Sequence, residues 1–173
     1  FALACLCTCW RAWSVSAGRH SGGAEPDRKA EETMTSEATS YNDRIVREFR
    51  AHAGHVGGEW AGTPLILVHH VGARSGTERV TPLGCFPLDD GRYAVAASSG
   101  GSPRHPAWYH NLKAHPSITV EVGAETFTAV ARELDDAARA ELWPTMVARH
   151  PTLGQHQAKI TRQVPVFILT RQD

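Results

Sequence analysis

Cysteine is nearly absent from the body of this chain. Of four cysteines, Cys5, Cys7 and Cys9 fall within the first ten residues, and only Cys85 stands further along. A disulfide framework needs partners spread through a domain, so the folded part reads as a cytoplasmic protein of a reducing compartment. Net charge is missing too, with 18 basic residues against 18 acidic ones. No global field therefore favours nucleic acid or an anionic membrane, and any anion site has to be local. No apolar run approaches the roughly 18 to 20 residues that span a bilayer, so no transmembrane segment is expected; peripheral membrane association is left open. Internal repeats and low-complexity tracts are lacking. So are the arrangements that announce hydrolysis: no Ser-His-Asp or Cys-His order stands out, and no paired carboxylates sit in a suggestive frame.

What is present is an ordinary globular composition. The chain has 173 residues, 42% of them hydrophobic, with five Trp and five Phe, enough for one domain with a real core. Its first 33 residues, "FALACLCTCWRAWSVSAGRHSGGAEPDRKAEET", precede Met34. They read either as a clipped secretory signal, with "SVSA" as its cleavage site, or as sequence upstream of a start at Met34. The second reading is the expectation: residues 1–33 disordered and without function, residues 34–173 a single domain.

Along that domain, "SYNDRIVREFRAHAG" carries Tyr41, Ile45, Val46, Phe49 and Ala53 at three- and four-residue spacing, which predicts a helix over 40–54 with Gly54 as its stop. "PLILVHHV" is a strand buried on both faces in its first half. "RVTPLGCFPLD" and "RYAVAASS" are strands joined by "DDG", a hairpin signal. Prolines 103, 106 and 116 bracket a short helix in "SPRHPAWYHNLKAHP". "SITVEV" and "TFTAVAREL" form a second hairpin across "GAE". "DDAARAELWPTMVARH" is helical, with Leu142, Trp143, Met146 and Val147 on one face and Pro144 expected to kink it or start a new segment. "QVPVFILT" closes the chain as a buried strand. Hairpin order with helices at the edges gives a mainly β, antiparallel α+β fold, and about six such strands can close into a small barrel.

Three segments carry candidate chemistry. "GARSGTERVTPL", residues 72–83, holds Gly72 and Gly76, which permit a nest of N–H groups that binds phosphate oxygens, while Arg74 and Arg79 offer fork-shaped donors to an anion. The alternative is a plain β-turn with solvated arginines. "AASSGG", residues 96–101, ends a strand in small residues; it is either a place where a flat ring nears the backbone or a flexible loop. In "HPAWYHNL", Trp108, Tyr109 and Asn111 can stack on and hydrogen-bond an aromatic ligand, or Trp108 and Leu112 simply anchor the helix. His105 and His110 are five apart, the wrong spacing for one helical face, so no metal site is expected. His69 and His70 read as structural or surface, and Cys85 as an inert core thiol.

In combination, "GARSGTERVTPL", "GRYAVAASSGG", "HPAWYHNLKAHP", "ELW" and "TRQVPVFILT" resemble the deazaflavin-dependent nitroreductase family of actinobacteria, also called deazaflavin-dependent quinone reductases. The resemblance runs from about residue 41 to the end. It implies a split β-barrel of the FMN-binding-like kind and an oxidoreductase using 8-hydroxy-5-deazaflavin coenzyme F-420, whose phosphodiester and γ-linked polyglutamate tail are anionic. It implies that Ala73, Arg74, Ser75 and Gly76, with Arg79, Val80, Thr81, Pro82, Leu83 and Gly84, hold this anionic part. Ala97, Ser98 and Ser99 would lie by the ring, and Ala107, Trp108, Tyr109, His110 and Asn111 would close the pocket. The acceptor implied is a small electrophile: a quinone, a nitro compound or an activated alkene. A nitro-activating member of the family has tyrosines before the last strand, where this chain has Leu153 and His156; His156 is carried as a proton donor or ring contact. Related barrels dimerise, so a homodimer is admitted. The alternatives are an FMN enzyme on the same barrel, or a coenzyme-binding protein without catalysis.

Overall fold

The structure, a computed structural model, describes residues 40–172. The expectations for residues 1–33, the start at Met34 and the three early cysteines lie outside the described residues. Helix α1 (40–51) leads through a short 3-10 turn, Gly58–Trp60, into β1 (Leu65–Val71). Then come β2 (Glu78–Pro87), β3 (Tyr93–Ala96), α2 (Ala107–Ala114), β4 (Ser117–Val122), β5 (Glu125–Glu133), α3 (Asp136–Arg149), α4 (Thr152–Ala158) and β6 (Val166–Arg171). The strands close a barrel in the order β1-β2-β3-β6-β5-β4, and every pairing is antiparallel. The expected antiparallel barrel with helices at its edges is what the chain forms.

Alternation along the strands sorts the apolar side chains into an inside and an outside. Ile66, Val68, Cys85, Val95, Val120, Ala129, Phe167 and Leu169 fill the lumen, and α2 plugs it with Trp108 and Leu112. Outside, Leu65 and Leu67 of β1 pack under Ile45, Val46 and Phe49 of α1. Phe86, Ala94, Val166 and Ile168 pack under Met146 of α3. Phe49 is fully sealed, worth roughly 2 to 3 kcal/mol of apolar burial. β1 is buried on both faces in its first four residues because lumen and helix claim alternate side chains.

The structure differs from the sequence expectation at three places. Of the two outcomes expected at Pro144, a kink or a new segment, the second does not occur: α3 runs through it. Pro144 and Ala140, whose carbonyl loses its helical donor, are both exposed, so the lost bond falls on the solvent side of the helix, while buried Met146 holds the second half in place. The strand in "RYAVAASS" stops at Ala96, because Ser99, Gly100 and Gly101 turn at φ of 50°, 65° and 84°. And "PTLGQHQA", for which the sequence predicts no element, contains α4.

The barrel is open along parts of two seams. β2 pairs with β3 only from Cys85–Val95 to Pro87–Tyr93, so residues 78–84 of β2 have a strand partner on their β1 side alone among the described residues. Pro82 sits in this half, as a proline must in a strand whose outer edge is unpaired. β1 likewise pairs with β4 over only three residues, ending at His69–Thr119. The β1–β2 hairpin thus carries the 72–77 turn out beyond both seams.

Candidate functional site

The turn at the tip of that hairpin is built from its own short hydrogen bonds. Gly72 N donates to Thr77 O at 2.9 Å, Gly76 N to Gly72 O at 2.8 Å, and Thr77 N to Ser75 Oγ at 3.3 Å. Gly76 has φ of 66°, so the backbone requires glycine there, while a Cβ on Gly72 would displace the Ser75 hydroxyl. Ala73 N donates to Asn111 Oδ1 at 2.9 Å. Among the described residues this leaves the amides of Arg74 and Ser75 without a partner, a smaller nest than the glycines alone suggest. The guanidinium of Arg74 is exposed and, like that of Arg79, has no carboxylate partner among the described residues.

From the turn, the open edge of β2 runs through the predicted residues 79–84 to a cleft of about 420 Å³. From Glu78 to Gly84 the strand runs about 20 Å, six steps at 3.3 Å per residue. The cleft is lined by Gly84 and Phe86 from β2, Ser98 beyond β3, Leu153 and His156 from α4, and Trp60 from the turn before β1. Gly84 leaves room beneath the Trp60 ring, since a Cβ there would stand 3.6 Å from its Cζ3. Trp60 is itself fixed by Nε1 donating to Tyr41 Oη at 2.7 Å, and Tyr41 Oη in turn donates to Glu59.

His156 comes together with Ser98, its Nδ1 lying 3.2 Å from Ser98 Oγ. Burial, helped by Lys159, lowers its pKa below the ordinary imidazole value, so it is neutral near pH 7. The 99–101 turn is pressed onto α4: a Cβ on Gly101 would lie 3.1 Å from His156 O. Arg162 fixes this wall. Its guanidinium donates to the carbonyls of Ala97 (3.3 Å), Ser98 (3.2 Å), Ser102 (2.9 and 3.2 Å) and Arg104 (3.2 Å), and meets His105 Nδ1 at 3.4 Å.

The α2 segment splits between core and surface. Trp108 is buried against Phe167, ring centroids 6.0 Å apart, and Leu112 is sealed beside it; the anchoring alternative describes them. Asn111 is buried, and its amide faces inward, bonded to Ala73 and His70. Tyr109 is half-buried, stacked on His105 at 4.3 Å with its hydroxyl near Glu133 at 3.3 Å, while Ala107 and His110 are exposed. His105 lies ahead of the helix, which is how its ring still reaches 6.0 Å from that of His110; no group of three metal-ligating side chains forms among the described residues.

Arg79 does not share the cleft of Ser98 and His156. It lines a polar cleft of about 560 Å³ at the β1–β4 seam with His69, His70, Glu78, Ser117 and Thr119. There His69 Nε2 lies 2.6 Å from Glu121 Oε1, which also pairs with Arg50; the Arg50 bond foremost holds Glu121 below the usual carboxylate range. Cys85 is buried in the lumen, and burial pushes its thiol up to about 12.

Comparison with known proteins adds a family. Residues 39–171 match the family described as "F420H(2)-dependent quinone reductase". The chain belongs to that family. A protein of that description from Mycobacterium tuberculosis is 34% identical over 128 residues, covering 72% of this chain and 85% of its own. The solved structure of an "F420-H2 Dependent Reductase (FDR-A)" is 39% identical with a TM-score of 0.55, covering 61% of this chain and 93% of that one. A solved domain-swapped dimer is 33% identical with a TM-score of 0.56, covering 83% and 97%.

Membership makes the chain an oxidoreductase of the deazaflavin-dependent type, with coenzyme F-420 as its cofactor. The residues present fit that group. A long anionic tail calls for unpaired cationic and amide donors, and the turn offers the Arg74 guanidinium with the amides of Arg74 and Ser75. A flat ring calls for a slot with little side chain in it, and the cleft has Gly84, Ala96 and Ser98 along its strand walls. Sequence reasoning missed Trp60, Arg162 and the role of His70. Arg162 had a signal, a lone arginine inside the quoted "TRQVPVFILT"; Trp60, flanked by glycines in a polar loop, had none.

Proposed function

We propose that this chain reduces quinones with coenzyme F-420, holding the anionic tail at the 72–77 turn and the deazaflavin ring in the cleft between β2 and α4. The observation that carries this reading is the edge of β2 opposite β1, which runs from the turn to the cleft without a strand partner among the described residues. When bound, the reduced coenzyme supplies the hydride; the protein supplies position and electrostatics. Arg74 and the amides of Arg74 and Ser75 take the negative charge of the phosphodiester and glutamates, with Arg79 beside the turn's base. Ser98 and the backbone near it line the ring. Trp60, Phe86 and Leu153 exclude water from the acceptor. With Ser98 Oγ donating to Nδ1 of His156, the imidazole keeps its proton on Nε2 and hydrogen-bonds the oxygen of an acceptor, whose proton comes from solvent.

A quinone suits this wall: it is flat and apolar, and its oxygen needs a proton once hydride has been added. Nitro compounds and activated alkenes are the slower acceptors in this reading, because Leu153 and His156 stand where a nitro-activating relative has tyrosines. Contact with the membrane surface, where apolar quinones dissolve, goes with the same proposal. So does a homodimer, supported by the likeness to a domain-swapped dimer; light scattering should give twice the chain mass. Stopped-flow oxidation of the reduced coenzyme with a naphthoquinone, a nitroaromatic and an enone tests the reaction. The quinone should be fastest, and the protein failing to accelerate quinone reduction would overturn the reading.

A further inference from the structure

His70 and Asn111 form a buried connection whose hydrogen positions can be deduced. The backbone N–H of Ala73 can only donate, so the Asn111 atom 2.9 Å from it is the carbonyl Oδ1. That orientation turns Asn111 Nδ2 toward His70 Nδ1, 2.9 Å away, where it donates. Since His70 Nδ1 accepts, the imidazole carries its proton on Nε2 and donates it to Thr81 Oγ1 at 2.9 Å. Both side chains are sealed, His70 being 4% exposed and Asn111 6%. Burial foremost, then the charges of Arg79 and His69, lowers His70 to about 4, so its Nδ1 lone pair is available at neutral pH. Three hydrogen bonds thus run from β2 through β1 and α2 to Ala73, next to the two turn amides that have no partner of their own.

We propose that His70 and Asn111 are positioning residues that aim the amides of Arg74 and Ser75 at the coenzyme's anionic tail. This rests on reading the turn as the cradle of that tail. Neither side chain touches the ligand. Among the described residues, their tie to Ala73 is the turn's hydrogen bond to another element, its remaining bonds being local. Without it the two amides lose the direction that makes them an anion site, while the cleft that takes the ring is untouched.

The test compares two ligands: the complete coenzyme, and a deazaflavin lacking the phosphodiester and glutamates. Wild type, Asn111→Ala, His70→Gln and His70→Asn are titrated with each by calorimetry, and folding is checked by circular dichroism. Asn111→Ala and His70→Gln should bind the complete coenzyme at least about tenfold more weakly, 1.4 kcal/mol, and the tail-less ligand within about twofold of wild type. His70→Asn, whose side-chain oxygen can stand in for Nδ1, should recover most of the loss. Equal losses for both ligands, or undiminished binding of the complete coenzyme, would overturn the proposal. If Asn111→Ala does not fold, the two His70 variants decide it: Gln and Asn behaving alike counts against. Arg74→Ala separates this proposal from its premise. If that variant binds the complete coenzyme normally, the cradle reading fails; if it binds weakly while the folded Asn111 and His70 variants bind normally, only the positioning role fails.

Discussion

Lowering the pH from about 7 to about 4 should cost the fold about 3 kcal/mol through His70, because the unfolded chain takes up a proton there that the folded chain refuses. The imidazole is 4% exposed, its Nδ1 accepts from Asn111 and its Nε2 donates to Thr81. Protonating Nδ1 would set two donors against each other in a sealed site. The folded value lies at about 4 against an ordinary 6.5, and each pH unit of that interval corresponds to 1.36 kcal/mol, which gives the figure of about 3 kcal/mol. The contribution is whole above the unfolded value near 6.5, declines as the pH falls through the interval, and is gone below about 4. His105 and His156 are lowered in the same direction, and the Glu121 pairing weakens as the pH falls below the ordinary carboxylate value of 4.5, so wild type alone does not isolate His70. Urea unfolding followed by circular dichroism across this range, in wild type and His70→Gln, does. The variant's stability should depend on pH less steeply by about the stated amount, whatever its absolute value. Identical pH dependence in both proteins would refute the reasoning.

Three further outcomes follow from the same geometry. Cys85, buried with its thiol raised to about 12, should resist an aromatic disulfide reagent in the native protein and react at once in urea; rapid native reaction would contradict its place in the lumen. Arg162→Ala removes a donor shared by the carbonyls of Ala97, Ser98, Ser102 and Arg104. It should lower stability by about 3 kcal/mol in urea unfolding, with Arg162→Lys recovering little because a compact ammonium cannot replace the planar fork. Gly72→Ala, whose Cβ would displace Ser75 Oγ from its bond to Thr77 N, should weaken coenzyme binding; unchanged affinity in calorimetry would count against the turn's role.

Much of the fold was legible because period and punctuation agreed. "LILVHHV" reads as doubly buried, and lumen and α1 do bury it from both sides. "DDG" reads as a hairpin, and Gly91 takes φ of 79° there. Where sequence reasoning failed, tertiary packing had overridden a local signal. α4 has no buried residue to set a helical period, and Gly154 looks like a breaker. Its real use is close approach, since a Cβ there would stand 3.1 Å from Val147 Cγ1 of α3. Pro144 looks like an end but lies on the solvent side of α3. At the site, residue type singled out segments but not the direction of each side chain. Asn111 and Trp108 carry chemistry suited to a ligand, yet both turn inward, one to tie the turn and the other to fill the barrel. Pro82 was the unread clue to the open edge of β2, the feature that joins turn and cleft.

Calorimetric titration of wild type and Arg74→Ala with coenzyme F-420, with FMN as the control ligand and at two salt concentrations, tests the central claim most directly. The expected result is saturable binding of F-420 in preference to FMN, weakened in Arg74→Ala by about 1.5 to 3 kcal/mol and with a smaller salt dependence, as for loss of a charge-assisted contact. Tighter binding of FMN, no binding of F-420 at high micromolar concentration, or an Arg74→Ala variant indistinguishable from wild type would contradict it.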